Sequence, residues 1–165
     1  MFRNCEKTKF LYEKYTSLLT HGQDVLLLVI RLYWGWSFFR TGLGKFQNFD
    51  KVVGFFTSLG IPLPEVNVVM AAGTEMIGGL LLLAGLGSRV VTVPLIFTMC
   101  VAYATAHTTE LSMIFSEPDK FTGAPPFLFL YASVLVLLFG PGKYALDSMW
   151  GRCCKGKCSR TDSNA

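Results

Sequence analysis

Four apolar runs divide the chain, at about residues 25–43, 66–86, 90–107 and 127–140, and more polar stretches separate them. A helix rises about 1.5 Å per residue, so a run of about twenty residues crosses the roughly 30 Å hydrocarbon core of a bilayer. The fourth run is shorter, and it spans the bilayer only if its helix begins in the preceding loop or the membrane thins locally. The pattern predicts an all-α protein, a four-helix transmembrane bundle.

Residues 44–65, between the first and second runs, are too polar to cross a membrane. Five apolar residues of this segment recur at helical spacing and fall on one face: Phe49, Val52, Val53, Phe56 and Leu59. This spacing predicts an amphipathic interfacial segment between spans 1 and 2. The link at residues 85–89 is very short, which predicts that the second and third spans are antiparallel neighbours.

The composition agrees with membrane immersion. The chain of 165 residues is 52% hydrophobic and 16% charged, whereas a soluble domain carries about 25% charged residues. Its net charge of +4 is not a nucleic-acid signal, because the basic residues lie mostly outside the apolar runs. We expect a cytoplasmic N-terminal segment at 1–24, either an interfacial helix or a partly ordered tail, a membrane domain at 25–147, and a basic cysteine-containing tail at 148–165.

The positions of the basic residues predict the orientation. Most of them lie at the two ends of the chain or in the link between the second and third spans: Arg3, Lys7, Lys9, Lys14, Arg89, Lys143, Arg152, Lys155, Lys157 and Arg160. The two longer loops hold Lys45, Lys51 and Lys120 beside acidic residues. The positive-inside rule therefore predicts a multi-pass protein of the inner (plasma) membrane, with both termini cytoplasmic.

Glu75 lies near the centre of the second run, about 15 Å from either boundary. A bare carboxylate at that depth costs roughly 2.5–3.5 kcal/mol on insertion scales, so it requires a partner or a bound proton. Arg31 in the first run lies about 10 Å deep and is the predicted partner. Two interpretations stay open: an ion pair that fixes helix packing, or a polar site for a quinone head group or a proton step.

Further candidate ligand-binding residues lie around this pair. Trp34 and Trp36 are deeper than an interfacial belt, so at least one of them is expected to line the bundle, and Trp34 is the candidate for ligand binding. Arg40, Lys45 and His107 are placed together at the extracytoplasmic end by the predicted topology, either as ordinary interfacial groups or as a mouth that attracts anions.

Cys153, Cys154 and Cys158 form one cluster in the C-terminal tail. They are weak metal candidates, because the spacing lacks the paired arrangement of a structural zinc site. Free or lipid-modified thiols are the simpler interpretation. The chain shows no phosphate loop, haem-attachment motif or nucleophile elbow, so whether it is an enzyme stays open.

The motifs along residues 25–147 resemble the DoxX family of small four-helix integral membrane proteins. They run in family order: Arg31-Leu32, Gly35, Gly42 and Lys45, then Gly60-Ile-Pro-Leu-Pro, Glu75-x-x-Gly78-Gly79-Leu80-Leu81-Leu82, Gly85-Leu86-Gly87-x-Arg89, and Gly140-Pro-Gly-Lys-Tyr-x-Leu-Asp147. The family takes its name from a subunit of a thiosulfate–quinone oxidoreductase. The resemblance implies a membrane subunit of a redox system that holds a quinone-like lipophile, with redox-partner proteins or a second copy as partners. The alternative is an assembly or scaffolding protein whose polar core is purely structural.

Overall fold

The computed structural model describes the backbone of residues 2–147 and the side chains of residues 12–147. This part of the chain is helical and contains no strand, which confirms the all-α prediction for it. The helices in chain order are α1 (Phe2–Gln47), α2 (Phe49–Ser58), α3 (Pro64–Ala84), α4 (Ser88–Ala106), α5 (Thr108–Ser112), α6 (Pro118–Gly123) and α7 (Pro125–Phe139).

The helices differ in their fit to a bilayer. By length and composition, α3 and α4 are apolar enough to cross a membrane, whereas α7 is apolar but has 15 residues. Helix α1 has 46 residues, which corresponds to roughly 69 Å and exceeds the thickness of a bilayer. Among the described helices, α3 and α4 are thus long and apolar enough to span a membrane. The four transmembrane spans stay a prediction.

Helix α1 also passes through residue 25 without a break. The N-terminal segment therefore continues the first helix from Phe2 onward, and residue 25 marks no helix boundary. The predicted tail at 148–165 lies outside the described residues.

Helix α2 has the predicted amphipathic face. The five apolar residues named for it are all half-buried, while Asp50, Lys51 and Thr57 are exposed. The helix packs against α3, so its apolar face is turned towards the bundle.

A tight turn joins α3 to α4. Gly85 and Gly87 both have positive φ, at 71° and 57°, a conformation that glycine adopts without a steric penalty. The Leu86 N–H donates to the carbonyl oxygen of Leu81 at 3.0 Å and closes the last turn of α3. The short link therefore folds α4 back beside α3, as predicted.

Helices α1 and α3 pack with their backbones in contact at glycines. A Cβ atom on Gly42 would lie 2.6 Å from the carbonyl oxygen of Ala72, and one on Gly79 would lie 2.7 Å from that of Gly35. Real Cβ contacts do not reach these distances, so only glycine fits at these points. The two contacts fix which residues of α1 lie level with which residues of α3.

The apolar core lies between α1, α3, α4 and α7. Its fully or largely buried members are Phe38, Leu82, Leu95, Met99 and Val136. This core fixes the relative positions of the four longest helices, and charged side chains are buried at two places along α1 and α3.

Candidate functional site

Glu75 lies within α3 and is 1% exposed. Its Oε1 accepts a hydrogen bond from Nζ of Lys45, and the two side chains form an ion pair. Lys45 lies in the last turn of α1, where its long side chain can reach along the helix axis to the carboxylate. The sequence predicted that Glu75 needs a partner, and the structure places Lys45 there.

The second carboxylate oxygen of Glu75 has no such partner. Oε2 is buried and accepts no hydrogen bond from any described residue. Leaving a buried acceptor unpaired costs about 1–3 kcal/mol. The Lys45 side chain is 28% exposed, so the ion pair reaches the surface of the molecule. Oε2 is thus a buried acceptor whose hydrogen-bonding capacity is not used by any described residue.

The local sequence explains why this pair forms. Small residues line the buried face of α3 on both sides of Glu75: Ala72, Gly78 and Gly79. Because Gly42 lies against Ala72, the backbones of α1 and α3 meet within one turn of the ion pair. This close approach brings Lys45 within reach of Glu75.

Arg31 lies elsewhere, which corrects the predicted contact with Glu75. Its side chain is 1% exposed; Nε donates to the carbonyl oxygen of Leu82 at 3.3 Å and Nη1 donates to that of Pro141. The guanidinium lies against Gly85, where a Cβ atom would be 2.5 Å from Nη2. Gly85 is ten residues along α3 from Glu75, or roughly 15 Å.

Arg31 belongs to a second polar group, the Arg31 cluster, formed by Arg31, Asp24, Lys143 and Asp147. The Asp147 carboxylate accepts hydrogen bonds from the N–H groups of Gly87 at 2.9 Å and of Ser88 at 3.1 Å. It therefore caps the N-terminus of α4 from a distant part of the chain.

An ion pair ties the same C-terminal segment to α1. Lys143 Nζ lies 2.8 Å from Oδ2 of Asp24, and the Lys143 N–H donates to Oδ1 at 3.2 Å. The hydrogen bond from the Lys143 side chain lowers the pKa of Asp24 below its ordinary value. The segment after α7 is thus held to α1 and to the α3–α4 turn.

Trp34 is half-buried in an aromatic group between α1 and α7. Its ring centroid lies 4.9 Å from that of Phe129, which in turn lies 4.7 Å from that of Phe38, and both pairs are edge-to-face. Trp34 therefore lines the bundle, and aromatic packing accounts for its position.

Arg40, Lys45 and His107 are not joined by hydrogen bonds or ion pairs within the described part of the chain. Arg40 is exposed. His107 Nδ1 lies 3.5 Å from Oε1 of Glu110, and its ring lies edge-on to Tyr103. A hydrogen bond from its own backbone N–H, with a smaller contribution from His107, lowers the pKa of Glu110.

The remaining weak candidates, Cys153, Cys154 and Cys158, lie outside the described residues. Sequence reasoning missed the pairing of Lys45 with Glu75 and the capping role of Asp147. A signal for the first was present, because the glycines at 35, 42 and 79 mark where α1 and α3 touch, and that alignment brings Lys45 within reach of Glu75.

Large apolar side chains remain exposed on all four of the longest helices, including Trp36, Ile77, Phe97 and Leu138. Soluble proteins rarely expose extensive apolar surface on every side. A helical protein with an apolar exterior and charges buried inside belongs to the class of small integral membrane proteins.

The comparisons agree with this class. The DoxX family model matches residues 26–108. CatD of Bacillus subtilis (strain 168), named as a candidate oxidoreductase, is 34% identical over 124 residues, covering 75% of this chain and 86% of the relative. The inner membrane protein YphA of Escherichia coli (strain K12) is 28% identical over 127 residues, covering 76% and 91%.

An uncharacterized membrane protein of Mycobacterium tuberculosis is 29% identical over 133 residues, covering 73% of this chain and 78% of the relative. No solved structure matches the chain significantly. The chain belongs to the DoxX family and is a membrane protein.

Proposed function

We propose that this protein is a membrane subunit of a redox system that holds a quinone-like lipophile, with the polar head group at the Lys45–Glu75 pair. The observation that carries the proposal is the buried Oε2 of Glu75, which accepts no hydrogen bond from a described residue. The candidate-oxidoreductase name of the related CatD supports a redox role.

The proposed topology has four spans and cytoplasmic termini. Helices α1 and α7 would supply the first and fourth spans, and the exposed Tyr131 and Leu138 on α7 would face lipid. In this topology the Arg31 cluster, which includes Asp24 and Lys143, lies at the cytoplasmic boundary of the membrane. The Lys45–Glu75 pair would lie in the extracytoplasmic half, with α2 at that interface.

The chemistry of the pair suits a quinone or quinol head group. A quinol hydroxyl can donate a hydrogen bond to Oε2, and the Lys45 ammonium has further N–H groups for a quinone carbonyl. Each of these hydrogen bonds would involve a charged group of the protein. Such hydrogen bonds are stronger than those between neutral groups, and a low dielectric constant strengthens them further. These two residues would place the head group, and the apolar helices would hold the remainder of the lipophile.

The test is quinone binding by protein purified in mild detergent. Retained quinones are measured by mass spectrometry, and a short-chain quinone is titrated while the melting temperature is followed. We expect the wild type to retain quinone and Glu75→Gln to bind it at least tenfold more weakly, which corresponds to about 1.4 kcal/mol. Because the Lys45 side chain is 28% exposed, it can turn towards water, and the variant is expected to fold.

Arg40→Gln is the control, because Arg40 is an exposed charge on α1, the helix that carries Lys45, and has no described partner. It should bind quinone as the wild type does. A wild type that retains no quinone and shows no shift in melting temperature would contradict the proposal, and so would unchanged binding by Glu75→Gln.

The second candidate is an assembly or scaffolding protein with a purely structural polar core. The Arg31 cluster favours it, because Arg31 donates to backbone carbonyls of the same chain. Under this function Glu75→Gln and Lys45→Met would lower the melting temperature by similar amounts, and no lipophile would bind to the wild type.

A further inference from the structure

We propose that two copies of this protein pair in parallel through α1. The contact would be an exposed apolar stripe on that helix, which we call the α1 stripe: Tyr15, Leu18, Gly22, Val25, Val29, Leu32 and Trp36. This inference is independent of the proposed quinone site, because the stripe contains neither Lys45 nor Glu75.

The spacing of the α1 stripe is that of a coiled coil. Its members are separated alternately by three and four residues over the whole length, as the a and d positions of a heptad are. Its six large members are exposed, from 47% for Leu32 and Val25 to 72% for Leu18, and Gly22 is exposed as well. No charged residue interrupts it, while the charged Glu13 and Lys14 lie beside it.

Part of the α1 stripe extends beyond any lipid. Arg31 lies level with Gly85 just after the end of α3, and Leu18 is thirteen residues further towards the N-terminus. That distance is roughly 20 Å along the helix axis. Tyr15 and Leu18, which are 60% and 72% exposed, would therefore meet water, and burying such side chains is favourable.

The side chains of residues 12–147 do not cover the stripe. Helix α1 packs on α3 through Gly35 and Gly42 and on α7 through Trp34 and Phe38. The exposed stripe follows a different face. Gly22, where a Cβ atom would meet nothing within 4 Å, has no packing role in its own chain, yet glycine on a helix face lets a second helix approach closely.

A second copy fits the stripe better than other occupants. Two copies in one membrane have the same orientation, so their α1 helices can pair only in parallel, and each stripe then meets its counterpart at the same height. Half-exposed side chains offer roughly 100 Å² each. The stripe and its flanking Leu19, Leu26 and Tyr33 thus present on the order of 800 Å², the usual area per partner in a stable complex.

The experiment is disulfide crosslinking of the full chain in membranes, with its five native cysteines replaced by serine. In a parallel pair the two copies of Leu18 face each other, whereas Ser17 lies about 100° around the helix. We expect Leu18→Cys to give at least tenfold more crosslinked dimer than Ser17→Cys. Equal crosslinking at both positions, no crosslinking, or a product of another mass would overturn the proposal.

A second measurement uses the oligomeric state in mild detergent, by light scattering. The wild type should have the mass of two chains. Leu18→Lys should shift at least half of it to the monomer, because it buries a charge in the seam. Thr20→Lys, on the opposite face, should leave the dimer intact. A monomeric wild type, or an equal response to both lysines, would overturn the proposal. Since quinone binding is not measured, failure here leaves the proposed function unaffected.

Discussion

At one place along the α1–α3 pair, Arg31 donates hydrogen bonds to the carbonyl oxygens of Leu82 and Pro141. At the other, Lys45 pairs with one oxygen of Glu75, and the second oxygen accepts no hydrogen bond from a described residue. Both Arg31 and Glu75 are 1% exposed, so burial alone does not distinguish the two places. The two places differ in whether the buried donors and acceptors have hydrogen-bond partners among the described residues.

We therefore interpret a buried charge as a sign of a binding site only where its hydrogen bonding is incomplete. The guanidinium of Arg31 holds the segment after α7 against the end of α3. Among the described residues around it, Oδ2 of Asp24 lies 2.8 Å from Nζ of Lys143, and the neutral Oγ of Ser88 is buried without a hydrogen-bond partner. The carboxylate of Glu75 keeps an ionisable acceptor unused.

Arg31→Leu should cause the largest loss of stability. It removes the side-chain donor of the Pro141 carbonyl oxygen and one of the two donors of the Leu82 carbonyl oxygen, which also accepts from the Gly85 N–H. Hydrogen bonds from a charged group contribute about 1.5–3 kcal/mol each, so the free energy of unfolding should fall by about 3 kcal/mol. Unfolding by a denaturing detergent measures this. Arg40→Leu removes an exposed arginine and should change little. Equal losses for the two variants would contradict a structural role that is specific to Arg31.

Gly42→Ala should destabilise the region around the Lys45–Glu75 pair, because it disturbs the contact between α1 and α3. The new methyl group would lie 2.6 Å from the backbone of Ala72, so α1 and α3 must separate, at a cost of about 1–3 kcal/mol. We also expect weaker quinone binding, because Lys45 moves away from Glu75. Thermal melts and quinone titration provide the two measurements.

The matched control is Gly44→Ala, two residues further along the same helix. A Cβ atom there meets nothing within 4 Å, so the change should be neutral or stabilise by about 0.5–1 kcal/mol. If Gly42→Ala were as harmless as Gly44→Ala, the contact with Ala72 would not determine the spacing of the helices.

The smallest effect should be a pH dependence at the Arg31 cluster. The hydrogen bond from Lys143 lowers the pKa of Asp24, so its ionised form stabilises the fold at neutral pH. This contribution is lost as the pH falls below about 4, through the lowered pKa of the folded state. Because the Lys143 side chain is 58% exposed, solvent screens the pair and the effect is small.

Thermal melts of the wild type and Asp24→Asn between pH 7 and pH 3 test this dependence. The two melting temperatures should differ at pH 7 and converge at low pH. Lys143→Met should also reduce the difference between pH values. A difference between wild type and Asp24→Asn that stays constant with pH would contradict the proposed role of the ion pair.

Several elements of the fold could be predicted from the sequence because each depends on local composition. The second apolar run, 66–86, corresponds to α3 at Pro64–Ala84, and the run 90–107 corresponds to α4 at Ser88–Ala106. The half-buried face of α2 followed from helical spacing. The need of Glu75 for a partner followed from the cost of burying a carboxylate.

The identity of that partner could not be predicted by counting residues from the ends of the apolar runs. The run 25–43 is only the apolar part of a much longer helix, so depth within it does not give height in the bundle. The contacts of Gly42 and Gly79 determine that height. The partners of Arg31 were missed for another reason: they are backbone carbonyls, which side-chain inventories omit.

Arg31 and Gly85 each restrict which residues can replace the other during evolution. It has a positive φ of 71°, and any side chain there would collide with the guanidinium of Arg31. The order in which substitutions arise should therefore matter: a side chain at position 85 becomes less costly once Arg31 has been replaced by a smaller residue, although the backbone penalty remains. The two residues are expected to be lost or kept together.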